Sequence, residues 1–204
     1  MELFTSGGPL MYLILFCSVI AVAVFLERVF HLHRAGINAA NFMDKIRVLI
    51  KKGGVEQASV LCRETPGPVA HILGAGLSVS NRARPEIKET IEDAGLHEIP
   101  RLEKNLVVLA TIAHISPLLG LLGTVLGMIR TFRVIQNLSG LVNPSDLAGG
   151  IWEALLTTAF GLIVAILAFI AYNFLVARVG KMVLDMETTA TELVNLLSED
   201  SPAA

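Results

Sequence analysis

The chain has 204 residues, 53% of them hydrophobic and 17% charged, with a formal net charge of −2 and a mean hydropathy of +0.66. A soluble domain carries about 25% charged residues, so this surface cannot all face water. A nucleic-acid partner would call for a basic excess, which the balance of charge does not supply.

Residues 3–26 contain no Asp, Glu, Lys or Arg. About 20 apolar residues, rising ~1.5 Å each, cross a ~30 Å hydrocarbon layer, so the run predicts a first transmembrane helix within 1–27. Ala21 and Ala23 imitate a signal-cleavage site, but Met1-Glu2-Leu3 offers no basic n-region and the run continues through Leu26. An uncleaved anchor is expected. His31 and His33 follow it and read as interfacial side chains rather than metal ligands. Cys17 falls in the span and Cys62 in the polar segment, so no disulfide between them is expected.

Residues 28–104 read as a helical, cytoplasmic segment. Phe42, Ile46, Leu49 and Ile50 recur at helical spacing, and Gly53-Gly54 ends that pattern. A second short helix starts at Val55, and Pro66-Gly67-Pro68 is a stop signal. Residues 69–80 are apolar but too short to span. Pro85 suits a first helical turn, with Glu86 and Glu89 placed well for the helix dipole. Pro100 is expected to kink that helix before it enters the second span.

Two further uncharged runs, 106–129 and 154–177, have 24 residues each. They predict spans at 105–132 and 149–177, joined by a short turn over 133–148 and followed by a tail over 178–204. Gly180 is isolated, and Met182, Met186, Ala190, Leu193 and Leu197 keep the helical period past the third span. A helix over 149–197 would be about 70 Å long. Twelve Lys and Arg lie between the first two spans and two in the tail, against Arg130 and Arg133 alone at the 133–148 turn. This asymmetry puts the N-terminus outside and the long segment and tail in the cytoplasm. Arg130 and Arg133 run against the rule; lipid phosphates or Asp146 are the candidates to hold them.

The second span carries a stripe of small or hydroxyl residues, Ala113, Ser116, Gly120, Thr124, Gly127 and Thr131, at steps of three or four. Its other face is Leu, Val and Ile. Gly123 and Gly127 form a GxxxG pair, which permits close helix approach but by itself says only packing. In the third span Glu153 lies within the apolar stretch 147–177, with Thr157, Gly161, Val164, Ala168 and Ala171 continuing its face and Thr158 about 100° further round. A charge at bilayer depth costs about 2.5–3.5 kcal/mol on insertion scales, and such residues usually mark ion or proton paths. The plainer alternative is an acid near a helix start, favoured there by the dipole. His114 reads as a backbone hydrogen-bonder and Trp152 as an interfacial anchor.

These motifs carry a resemblance. The run LATIAHISPLLGLLGTVLGMI (109–129) resembles the second-span signature of the MotA/TolQ/ExbB proton-channel family. The run GIWEALLTTAFGLIVA (150–165) resembles its third-span signature. Gly7-Gly8-Pro9-Leu10 and Leu26-Glu27-Arg28 are similar to the ends of the first span in ExbB-type members. The resemblance implies an all-α membrane protein with three transmembrane helices, long cytoplasmic helical extensions and a homo-oligomeric, pentamer-type ring. It also implies a single-span partner of the ExbD/TolR type inside the ring and a TonB-like effector. By resemblance Thr124, Glu153 and Thr158 match the family's functional positions, with Thr157 beside them, while Gly120, Gly123, Gly127 and Gly161 serve helix packing. Leu167 departs from the proline that many members carry there, without touching the Glu153–Thr158 pair.

The leading expectation is therefore a proton-motive-force-driven stator or channel subunit of an inner membrane, most like ExbB. The alternatives are a TolQ-like or other stator, and a passive scaffold in which Glu153 fixes helix register. An intramembrane enzyme is not expected: no paired Asp, HExxH or GxSxG occurs. No cofactor or metal is called for. One carboxylate with hydroxyls could serve a proton or a sodium ion, and the sequence leaves both open.

Overall fold

The computed structural model describes residues 8–137 and 144–199. They form seven helices: α1 (Gly8–Ala35), α2 (Ala39–Lys51), α3 (Val55–Glu64), α4 (Pro68–Ser78), α5 (Arg84–Glu103), α6 (Leu106–Asn137) and α7 (Pro144–Glu199). Three stretches, beginning at Gly8, Leu106 and Leu147, are long and apolar enough to cross a membrane. Gly7, and Val142 and Asn143 of the expected turn, lie outside the described residues.

The chain divides into two compact units. The first gathers α1 through Glu27, α6 with Asn105 before it, and α7 through Phe174. Many of its large apolar side chains point outward: Phe16, Val19, Leu118, Leu121, Leu155, Leu167 and Ile170 are all exposed. The buried set is rich in small residues, Ala113, Ser116, Ala154, Thr157, Ala165 and Ala168, beside a few large ones, Met11, Ile14, Leu109 and Ile112. This inversion of the soluble pattern is what a hydrocarbon solvent selects, because apolar surface gains nothing by leaving lipid and close backbone approach does. The α1 helix is tied in by the edge-to-face pair Phe25–Phe174, with ring centroids 6.3 Å apart. Asn105 also donates from Nδ2 to Glu27 Oε2 at 3.4 Å.

The second unit takes the rest of α1, α2 to α5 and the rest of α7. It has an ordinary large-residue core: Met43 and Ile46 from α2, Ile72 and Leu73 from α4, Ile87 and Ile91 from α5, Leu175 and Leu193 from α7. Asn38 caps α2, its side chain accepting from the Asn41 N–H at 3.1 Å. Gly67 precedes α4 with φ +125°, and a Cβ there would stand 2.5 Å from the Ala35 carbonyl oxygen. Only glycine meets both demands. A Cβ on Gly76 would meet Ile91 at 2.6 Å and Leu193 at 3.0 Å, so α4 packs closely on α5 and α7. Arg47 of α2 pairs with Glu192 of α7. Glu98 Oε1 receives both Arg101 at 2.6 Å and His71 at 3.0 Å. Arg28 is 2% exposed and donates to the Arg101 carbonyl at 3.4 Å.

Two expectations differ in detail. Pro100 lies inside α5, which continues to Glu103, and the chain breaks instead at Asn105, whose φ is +63°. Pro100 removes the bond to the Leu96 carbonyl, but Leu96 is exposed, so the vacated acceptor need not go unpaired. Asparagine tolerates the left-handed region better than most residues, so the turn falls there. The helix that carries the third span begins before residue 149, at Pro144, and α7 runs 56 residues without a break.

Cys62 is buried in the second unit, and burial pushes its thiol up from 9.0 to about 11. The folded chain therefore holds this proton more tightly than the unfolded one. Stability from this group is fully present below pH 9 and falls as pH rises from 9 through about 11. Alkylation of Cys62 at pH 8 is expected to be slow in the native protein and fast after denaturation, read by mass spectrometry. Equal rates would show that the thiol is not shielded.

Candidate functional site between the second and third membrane helices

The α6–α7 seam is built from glycines set against threonines and alanines. A Cβ on Gly120 would stand 2.9 Å from Thr158 Cα, and one on Gly123 2.6 Å from Thr157 Cβ. One on Gly127 would meet the Gly150 carbonyl oxygen at 2.7 Å and Ala154 Cβ at 2.8 Å. From the opposite side, a Cβ on Gly161 would stand 2.6 Å from the Ser116 carbonyl oxygen, and one on Gly150 would press on Thr131. Positions that rise along α6 meet positions that fall along α7, so the two helices run antiparallel in backbone contact. The expected stripe and the Glu153 face thus meet within one chain, and Gly123 rather than Thr124 completes the α6 side.

The hydroxyls follow from that closeness. Thr158 donates to the Gly120 carbonyl at 2.8 Å, a bond between helices. Such bonds in membranes are worth about 0.6–1.7 kcal/mol. Thr157, 1% exposed, bonds back to the Glu153 and Ala154 carbonyls of its own helix at 3.0 and 2.9 Å. Thr131 bonds to the Gly127 carbonyl at 3.1 Å. Ser116 Oγ is buried, with no partner among the described residues. Thr124 stands apart from this set. It is half-buried and bonds to the Leu121 carbonyl of its own helix at 2.6 Å. The expected backbone contact of His114 is present, Nδ1 to the Ala110 carbonyl at 2.6 Å.

Glu153 sits one turn before Thr157, at the end of the seam where α6 finishes and α7 begins. Its carboxylate Oε1 takes Arg130 Nη1. Their side chains are 19% and 47% exposed, so the acid is sheltered and the base is half open. Gly8, with φ +65°, lies against the same carboxylate, and a Cβ there would overlap it and stand 3.3 Å from Arg130 Nη1. All three helices of the unit therefore converge on Glu153. Sequence reasoning looked to lipid or Asp146 for Arg130 and did not pair it with Glu153. The usable signal was register: Arg130 lies three residues past Gly127, and Gly127 faces Ala154.

Residues 64–188 match the MotA/TolQ/ExbB proton channel family. The chain belongs to this family. It is 30% identical over 199 residues to an ExbB homolog of Methanothermobacter thermautotrophicus, covering 97% of this chain and 68% of that one. It is 30% identical to the biopolymer transport protein ExbB of Neisseria meningitidis over an alignment covering 96% of each chain. The ExbB of Aquifex aeolicus is 49% identical over 86 residues, 42% of this chain and 57% of that one. With three membrane-length apolar helices, this member of the family is a multi-pass membrane protein.

Glycine substitutions separate contact from mere propensity. Gly123→Leu and Gly127→Leu are expected to force α6 and α7 apart and lower thermal stability in detergent, since overpacking typically costs about 1–3 kcal/mol. Gly180→Ala, where nothing lies within 4 Å of the added Cβ, is expected to gain up to about 1 kcal/mol from helix propensity. If all three variants melted alike, the seam would not be close-packed.

Proposed function

We propose that this chain is the channel and stator subunit of a proton-driven, ExbB–ExbD-type motor in an inner membrane, energising envelope transport. The observation that carries the reading is Glu153: a carboxylate sheltered where three membrane helices converge, at the head of the α6–α7 seam, with the Thr157 hydroxyl one turn along from it. The family membership supports proton conduction, and relatives that are biopolymer transport proteins support transport as the process served.

The physics sets what else is needed. A proton falling through 100 mV releases about 2.3 kcal/mol, so several transfers drive one useful conformational step. Glu153 supplies one carboxylate per subunit, while Thr124, Thr157 and Thr158 supply hydroxyls that can relay or position but not store a proton. A second titratable group therefore comes from a partner helix, of the ExbD/TolR type, seated within a ring of several copies, five by analogy with the family. A TonB-like effector takes up the motion. In this arrangement the N-terminus is outside, and residues 28–104 and 178–204 are cytoplasmic.

A passive scaffold is the second reading, and the Arg130–Glu153 ion pair favours it, because a neutralised pair is also a good register pin. Activity separates the two. In the complex reconstituted with its single-span partner, Glu153→Gln and Thr124→Val are expected to abolish work dependent on a pH gradient while assembly persists. Thr158→Val is expected to impair that work, and Thr157→Val to impair it less. Full activity in Glu153→Gln would leave only the scaffold.

Orientation has its own test. Single cysteines at Asn143 or Ser145 are expected to react with a membrane-impermeant thiol reagent added outside, and single cysteines at Lys51 or Glu192 are not. Labelling at Lys51 from outside would reverse the topology.

A further inference from the structure

Arg130 is unusual in position: a permanently charged side chain at the end of a membrane helix, on the side where the sequence carries almost no other basic residue. Around Glu153, the described charged side chains on the elements packed there are Arg130 and Arg133 of α6 and Glu153 itself. The first described turn of α1, Gly8-Pro9-Leu10-Met11, brings none. Arg130 reaches back along the seam to Glu153 and bonds to it directly.

From this geometry we infer that Arg130 is the internal counter-ion of Glu153, a positioning residue that must let go of the carboxylate before Glu153 can exchange a proton. The inference rests on the proposed proton-carrying role of Glu153 and adds the element that gates it. Three observations carry it. First, the two groups neutralise each other at the end of an apolar seam, where an unpaired charge is disfavoured. The pair is therefore the stable resting arrangement of the single chain.

Second, the environment is asymmetric. Glu153 is sheltered and Arg130 is half exposed. The guanidinium, with five N–H donors in a planar fork, can swing outward on its flexible stem, whereas the carboxylate is held against Gly8. Release therefore moves the arginine and leaves Glu153 in place above Thr157. Third, Gly8 leaves no room for a side chain between α1 and the pair. The first helix closes over the carboxylate on that side, and Arg130 occupies its Oε1.

Dicyclohexylcarbodiimide adds to carboxyl groups in their protonated form in apolar surroundings, so its incorporation at Glu153 reports whether the pair is closed. The purified full-length chain in detergent, at one neutral pH, is treated and the Glu153 peptide is quantified by mass spectrometry. Wild type is expected to label weakly, Arg130→Gln severalfold more, and Arg130→Lys like wild type, since a second cation restores the pair. Glu153→Gln gives the background. A purely structural role for Arg130 would not be rescued by charge alone at this readout. Arg130→Ala serves as the second neutral variant, because the side chain is half exposed and its removal leaves no sealed cavity. Labelling in both neutral variants no higher than in wild type overturns the inference. The measurement needs neither a partner nor a gradient, so that failure leaves the motor reading untouched. Activity retained in Glu153→Gln would instead sink the motor reading and leave the ion pair standing.

Discussion

Everything in the membrane unit depends on how closely the backbones of α6 and α7 approach. Two helices in hydrocarbon gain almost nothing by covering leucine with leucine, because lipid is as good a neighbour. What they gain comes from dispersion at short range and from hydrogen bonds that bridge them. Glycines at 120, 123, 127, 150 and 161 remove the side chains that would hold the axes apart. The Thr158 hydroxyl can then reach a carbonyl on the neighbouring helix. Without that approach neither the threonines nor Glu153 would have a defined neighbour.

The ion pair is the next consequence. An antiparallel seam with Gly127 against Ala154 brings the finish of one helix beside the start of the other. Arg130 and Glu153 then meet without distorting either backbone. The residues that look out of place, a cation near a span end and an acid within an apolar run, explain each other once they are read as a pair. Their neutralisation also explains how the chain can keep a carboxylate at this depth when most membrane helices carry none.

Much of the architecture was legible in the sequence for one reason: lipid-facing helices must be uniformly apolar over a fixed length, and nothing else in a short chain looks the same. The three spans, the break at Gly53-Gly54, the stop at Pro66-Gly67-Pro68 and the unbroken third helix all came from that logic and from turn chemistry. Two things were less legible. The bend before α6 was assigned to Pro100, since proline is the louder signal; the left-handed backbone at Asn105 depends on tertiary context that one residue type does not announce. The α6 packing face was drawn through Thr124, which lies only one residue round from Gly123, and a helical wheel cannot choose between adjacent positions without knowing the partner. Likewise the partner of Arg130 depended on helix register, which composition and periodicity do not contain.

Arg28 has a double life in time. In the finished fold it is almost fully buried and its guanidinium is bonded to the Arg101 carbonyl, 73 residues further along the chain. When α1 leaves the ribosome that carbonyl has not been made, and at ~5–20 residues per second it arrives roughly 4–15 s later. During that interval Arg28 follows an apolar segment and its Arg101 acceptor does not yet exist. Only afterwards is it withdrawn into the protein. The bond that ties the two ends of residues 28–104 together therefore closes late in synthesis, and a substitution at Arg28 would loosen a contact that only the completed segment can make.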